Sequence, residues 1–385
     1  MMVDFAFTEA QQELARTIRA FALRELAPHY AYWDRTGEFP FEQWRKMGAI
    51  GITGLCLPEK YGGQEADCVT TGIAAEEVAR GDFNCGYALI ENSINGQILL
   101  QAHETLQQKW LPGMARGDHI TAIALTEPRG GSDAAAMQMR AKRHGDEYIL
   151  SGEKSGISML MPADAVVVFA KTDPDAGARG VSAFLVPTDL PGINRTPLRD
   201  MGERAIQRGS LALDDVHVPR EYLIGEEGQG FYLVMNAFDY SRVIIALMCI
   251  GAAEQSLDET IEYVKQREAF GRPLAKFEGV SFPIAEHATL LEAARWLCYR
   301  TLWLRDQGLP HSKEAAMVKW WGPKVAVDAI HDCLLLHGHY GYTQDLPLEQ
   351  RLRDVIGLEI GDGTAQVSKI VIARELFGRE FLPYR

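Results

Sequence analysis

The stretch "LEIGDGTAQ" (358–366) places one carboxylate, Asp362, between two glycines. Glycine lets backbone approach a ligand closely. Asp362 is then either a turn acid, as acids beside glycines commonly are, or a general base. A base has to come within about 2.6–3.2 Å of the group whose proton it takes. A second acid, Glu91 in "YALIENSINGQ" (87–97), reads as a buried hydrogen-bonded residue, a surface charge or a second proton acceptor.

Other stretches could hold a ligand. "IALTEPRGGSD" (123–133) mixes glycines with the Thr126 and Ser132 hydroxyls; it reads as a plain glycine turn or as a loop against a flat heterocycle or phosphate. "YILSGEKSGIS" (148–158) reads as strand, turn and second strand, a hairpin with Ser158 near its end. In "FDYSR" (238–242) and "REAFGR" (267–272), Arg267 and Arg272 either complement a helix dipole or grip a pyrophosphate. "HDCLLLHGHYGY" (331–342) carries an HxH step at His337 and His339. No well-spaced carboxylate or cysteine completes it, so no metal is expected.

The elements that must position these groups fall into three zones. Residues 1–120 show helical spacing and residues 226–385 return to it, with Val243, Leu247, Ile250, Leu257, Ile261 and Val264 on one apolar face. Residues 121–225 carry short β-branched runs between turn clusters, as an antiparallel sheet or barrel does. This order predicts an α+β multidomain chain and speaks against a Rossmann domain, whose GxGxxG after a strand is missing.

A net charge of −13 repels nucleic acid and anionic membranes. No run of about 18 apolar residues stands out, so no membrane insertion is expected. The N-terminus, "MMVDFAFTEAQQELARTIRAF", is amphipathic and does not resemble a signal peptide. Six cysteines without a CxxC pair suit a reduced cytoplasm.

Taken together, the motifs resemble the acyl-CoA dehydrogenase family over essentially the whole chain. "ALTEPRGGSD" is similar to its TEP-x-x-GSD loop, "YILSGEKSGIS" to its strand pair ending in W-I-T/S, and "FDYSR…REAFGR" to its D-x-x-R and R-x-x-F-G-[KR] helix. "LPLEQRLRDVIGLEIGDGTAQ" is similar to its closing helix pair. The resemblance implies a helical N-terminal domain, a middle antiparallel β-domain and a C-terminal four-helix bundle in a homotetramer. FAD lies between β-domain and bundle, and electrons pass to an electron-transferring flavoprotein.

The resemblance also assigns residues. Ile123, Leu125, Thr126, Gly156, Ile157 and Ser158 face the flavin, and Thr364 and Gln366 close its site. Ser132 serves cofactor and thioester alike. Arg267, Phe277, Glu278 and the segment Leu335, Leu336, His337, Gly338 and His339 reach the neighbouring subunit's FAD. Asp239, Tyr240, Ser241, Arg242, Gly363 and Glu91 face the acyl-CoA thioester. Asp362 takes the α-proton.

Three departures bear on the substrate. Glu is usual where Asp362 stands, and Asp is shorter by one methylene, roughly 1.5 Å. Some relatives place the base at the position of Ser241, and serine cannot do that work. A ring on the α-carbon would bring the proton to a short base. Glu91 in the acyl-pocket helix would allow a 1,4-elimination to a cyclic diene. Gly156 stands where many relatives have Trp, and Arg129 where a small residue is usual. These features most resemble the cyclohexane-1-carboxyl-CoA and cyclohex-1-ene-1-carboxyl-CoA dehydrogenase branch. A short or branched acyl-CoA is the alternative substrate, and a flavin- or acyl-CoA-binding protein without turnover the alternative of another class.

Overall fold

The computed structural model describes residues 6–382, so the first five residues of the amphipathic N-terminal stretch lie outside the described residues. Seven helical segments open the chain: α1 (Glu9–Phe21), α2 (Tyr30–Thr36), α3 (Phe41–Ala49), α4 (Cys68–Gly81), α5 (Tyr87–Glu91), α6 (Gln97–Leu99) and α7 (Glu104–Arg116). Thr8 and Gln11 form a capping box at α1, each side chain bonding the other's backbone N–H. α4 is buried on every side from Thr71 to Gly81. A Cβ on Gly251 would stand 2.2 Å from the Glu76 carbonyl, so that glycine lets the helices pack against one another. Between α5 and α6 the chain makes one π-helical turn, Asn92–Gly96, a distortion that favours functional sites.

The β-region holds β1 (Thr121–Ala124), β2 (Arg140–His144), β3 (Glu147–Ile157), β4 (Ala165–Lys171), β5 (Val181–Pro187), β6 (Ile193–Pro197), β7 (Gly209–Pro219) and β8 (Leu223–Ile224). They form one sheet in the order β6-β7-β3-β2-β4-β5-β8, with β1 also on β4. Most neighbours are antiparallel; β1 pairs parallel with β4, Thr121 opposite Ala165. β4 is buried on both faces. Val166, Val168 and Ala170 join the sheet's own core, and Ala165, Val167 and Phe169 join the helical core. A two-sided strand reads as an unbroken apolar run.

The expected hairpin at 148–158 is instead a single strand. β3 runs through "SGEK" without turning and absorbs register breaks against β7 after Leu150 and after Lys154. Gly152 (φ +140°) and Gly156 (φ +68°) take up the distortion. The glycines read as a turn are bulge residues.

The C-terminal part is built on α8 (Gly230–Gln266), followed by the ribbon β9 (Glu268–Ala269) and β10 (Arg272–Pro273), then α9 (Glu278–Asp306), α10 (Ser312–Leu336), α11 (Leu348–Ile360) and α12 (Ala365–Phe377). The single apolar face expected of α8 is too narrow a description. Every residue from Tyr240 to Ala253 is buried, because α4, α9, α10 and α11 all pack on it. By length and mean hydropathy α8 is also the one described helix that could cross a membrane. An 18-residue window of α8 has mean hydropathy 1.6, yet 78% of it is buried inside the protein. It is a core helix.

Candidate active site

A cavity of about 540 Å³ opens where α5, the β1–β2 loop, the end of β3, α8 and the α11–α12 turn meet. Asp362 sits in that turn. Its backbone is left-handed (φ +54°), a conformation Asp tolerates better than most residues but which still needs support. The support comes from three sides. Ser241 Oγ donates to Asp362 Oδ2 at 2.8 Å, and Arg242 Nε donates to the Asp362 carbonyl at 3.3 Å. The fully buried Lys319 donates to the carbonyls of Leu358 (2.7 Å) and Gly363 (3.0 Å). Asp362 Oδ1 and the Asp362 N–H have no hydrogen-bond partner among the described residues.

This leaves Oδ1 free to take a proton and the adjacent N–H free to donate to an oxyanion. Burial raises the Asp362 carboxyl above the ordinary aspartate range, and the Ser241 hydrogen bond, Lys319 and Arg242 pull it back. Burial lowers the Lys319 ammonium to about 8, against the attraction of Asp362.

Glu91 lines the same cavity and is 2% exposed. Asn95, in the π-helical turn, donates to Glu91 Oε2 at 3.0 Å and is itself 3.1 Å from Thr121 Oγ1. Burial first, and the Asp362 charge second, hold the Glu91 carboxyl well above the ordinary range. The two acids are therefore unlike: at Glu91 only the Asn95 hydrogen bond opposes burial, whereas at Asp362 Ser241, Lys319 and Arg242 all oppose it. Pairs pushed apart in this way divide the acid and base roles.

Of the residues expected at the cofactor, Ile123, Leu125, Thr126, Ser132, Gly156, Ser158 and Thr364 border the cavity. Thr364 Oγ1 also caps α12 by accepting from Val367 N at 3.3 Å. The hydroxyls of Thr126, Ser132 and Ser158 have no partner among the described residues, and at Gly156 the wall has no side chain of its own. Unspent donors and acceptors on a cavity wall suit a ligand with polar edges such as a flavin ring. Instead of a residue-156 side chain, the Arg208 guanidinium borders the gap, 3.2 Å from where a Gly156 Cβ would stand. Asp200 Oδ1 holds it at 3.1 Å.

Several expected contacts lie elsewhere. The Ile157 side chain packs in the sheet core and does not border the cavity. Tyr240 is 2% exposed, lies under Arg305 and does not border the cavity. Ser241 stands behind Asp362, and Asp239 pairs with Arg242 (2.9 Å) and Ser312; neither borders the cavity, whereas Arg242 and Gly363 do. Gln366 is exposed on α12. Arg267, Phe277, Glu278, Leu335, Leu336, Gly338 and His339 do not border the cavity within one chain. His337 is engaged inside its own subunit, Nδ1 against the Cys333 carbonyl at 2.9 Å and the ring stacked on Tyr263. Arg129 is exposed, and no structural contact explains it.

Lys319, Glu203, Tyr87 and Arg208 escaped the sequence reading. Lys319 carried one signal, a lone charge inside the apolar run "AAMVKWWG" (315–322). Glu127 is also new as a structural residue. It accepts from the N–H groups of Gln138 (2.7 Å) and Met139 (2.9 Å) and pairs with buried Lys154 at 2.9 Å, tying the β1–β2 loop to β3.

Comparison with known proteins agrees with this architecture from end to end. Residues 8–118, 122–216 and 228–377 match the family models for the acyl-CoA dehydrogenase N-terminal, middle and C-terminal domains. The chain is 38% identical over 371 residues to the mitochondrial short-chain specific acyl-CoA dehydrogenase of Rattus norvegicus, covering 96% of this chain and 90% of that protein. Butyryl-CoA dehydrogenase from Megasphaera elsdenii superposes with a TM-score of 0.93 at 33% identity, covering 97% and 100% of the two chains. A structure described as the electron transferring flavoprotein of Acidaminococcus fermentans superposes at 0.94 with 38% identity, covering 97% and 100%. With a carboxylate bordering the cavity between these elements and all three domains matched, the chain belongs to the acyl-CoA dehydrogenase family, FAD-dependent oxidoreductases acting on CH–CH bonds.

Proposed function

We propose that this enzyme removes the α- and β-hydrogens of an alicyclic acyl-CoA such as cyclohexane-1-carboxyl-CoA, giving cyclohex-1-ene-1-carboxyl-CoA. The observation that carries the reading is the short base, Asp362, with Oδ1 unpartnered and aimed into a cavity that a second acid also borders. A straight acyl chain leaves a gap before an aspartate where a ring on the α-carbon fills it. The relatives named for short-chain or butyryl-CoA substrates keep a short, straight acyl group as the alternative to test.

In the proposed reaction Asp362 Oδ1 accepts the α-proton while Ser241 holds Oδ2. The free Asp362 N–H donates to the thioester oxygen, and such donors count for more in a dry site. Arg242 holds the Asp362 carbonyl and Lys319 those of Leu358 and Gly363, so the turn that carries the N–H is fixed before substrate arrives. Thr126, Ser132, Ser158 and Thr364 would hold the FAD, which when bound accepts the β-hydrogen as hydride. Glu91 lines the same cavity, its ionised form disfavoured by burial and by the Asp362 charge. An electron-transferring flavoprotein as electron acceptor and a homotetramer belong to the same proposal.

A second reading is favoured by one feature. Glu91 Oε1 has no partner among the described residues and shares the cavity with Asp362, so Glu91 could serve as the base for a 1,4-elimination from cyclohex-1-ene-1-carboxyl-CoA. Anaerobic flavin bleaching with three thioesters separates the readings. We expect fastest bleaching with cyclohexane-1-carboxyl-CoA and a loss of at least about 10³-fold in Asp362→Asn, the scale of a missing base, with FAD still bound. A Glu91→Gln variant that alone abolishes bleaching by the cyclohexenoyl thioester supports the diene. Faster bleaching by butyryl-CoA than by either ring refutes both.

A further inference from the structure

We propose that the cavity has a hydrogen-bonding site for a hydroxyl on the substrate ring, formed by Glu203 and Tyr87. This rests on the ring reading above and specifies the ring further.

Glu203 borders the cavity although it is only 4% exposed. Three features bring its carboxyl there. The loop between β6 and β7 holds Glu203 in a left-handed conformation (φ +53°). Its N–H donates to Asp354 Oδ1 at 2.5 Å, which anchors the loop to α11. On α11, Gly357 leaves the room, because a Cβ there would come within 2.8 Å of the Glu203 carboxyl. Strain, an anchor and a missing side chain together deliver one acid to one wall.

Once there, the carboxyl is half used. Tyr87 donates to Oε1 at 2.7 Å, and Oε2 has no partner among the described residues. That oxygen is not sealed in: it stays open to the space of the cavity, where a ligand group can reach it. Burial pushes the Glu203 carboxyl up to about 8, so near neutral pH it is mainly the acid form, able both to donate and to accept. Tyr87 lies one helical turn before Glu91, so both present side chains to the same cavity.

The surrounding charges say which substituent fits. Glu91, Glu203 and Asp362 all border the space, and the two cations on its wall, Arg208 and Arg242, are already tied to Asp200 and Asp239. A carboxylate on the substrate would meet three acidic side chains and no free cation. A neutral hydroxyl would meet one open oxygen. The ligand class is therefore a cyclohexanecarboxyl-type thioester bearing a hydroxyl at a ring carbon remote from the carbonyl.

The test compares kcat/KM for cyclohexane-1-carboxyl-CoA with that for its 3- and 4-hydroxy derivatives, in wild type, Glu203→Leu and Glu203→Gln. We expect wild type to favour one hydroxylated ring by about tenfold, as a site that hydrogen-bonds a hydroxyl discriminates against the analogue lacking it. In Glu203→Leu the ratio should fall to about one, and in Glu203→Gln, which keeps hydrogen-bonding capacity, part of it should return. A purely structural Glu203 would lower the rates of all three substrates together and leave the ratio alone. If wild type turns over the plain ring at least as well as both hydroxylated ones, the inference is overturned while the ring reading stands. A protein that dehydrogenates no ring thioester refutes both. Should Glu203→Leu fail to fold, the wild-type ratio decides alone.

Discussion

At the scale of single residues, the proposed base Asp362 depends on a cation that does not border the cavity. Lys319 is fully buried on α10 and spends its hydrogen bonds on the carbonyls of Leu358 and Gly363. Its charge also helps keep Asp362 ionised against burial. Lys319→Met removes that charge, so the Asp362 pKa should rise. A base works only when ionised, so the variant should lose most turnover at low pH and recover as pH increases. We expect the acid limb of the kcat/KM profile to move up by about one pH unit, the size of one interaction of roughly 1.4 kcal/mol. A profile lowered equally at all pH values would make Lys319 a scaffold alone. Ser241→Ala should move the limb the same way, since Ser241 also stabilises the ionised form. Asp362 was legible in the sequence because its glycines and motif neighbours are local. Lys319 and Ser241 acquire meaning only when α8, α10 and the α11–α12 turn converge, 121 residues separating Ser241 from Asp362.

At the scale of elements, the cofactor wall depends on how the β1–β2 loop is fastened to β3. Glu127 receives two backbone N–H groups and the Lys154 ammonium, whose nitrogen also reaches the Leu125 carbonyl at 2.9 Å. Removing one partner of a buried pair usually costs about 3–5 kcal/mol. Lys154→Met should cost near the lower end, because Glu127 keeps its two N–H donors. Urea denaturation should show that loss in the midpoint, and FAD should be retained less well because Leu125 and Thr126 are released. An unchanged midpoint would mean the loop is held by other contacts. Here the sequence misled. "SGEK" has the composition of a turn, and only pairing with β7 shows that its glycines carry bulges within a continuous strand. The helix, strand, helix order was legible because periodicity changes sharply along the chain. The burial of α8 on all sides was not, since it depends on neighbours distant in sequence.

At the scale of the whole molecule, a single chain leaves part of the motif set unused. Arg267, Phe277 and Glu278 follow α8 at its far end, and the ribbon β9–β10 between them holds Phe270 outward, 96% exposed. Arg272 packs on Phe277 at 4.1 Å, stiffening the ribbon. Exposed aromatics grouped with cations suit contact with another subunit and its phosphates better than contact with water. We expect the protein to sediment at four times its 42.8 kDa chain mass. Phe270→Asp should lower that mass, because a charge would have to be buried at the contact. Arg267→Ala should keep the tetramer and release FAD more readily. The decisive comparison is FAD content in each species after gel filtration. Dimers or monomers of Phe270→Asp that keep full FAD would show that one chain closes the cofactor site alone. FAD lost together with the tetramer would place the second half of the site on the neighbouring subunit.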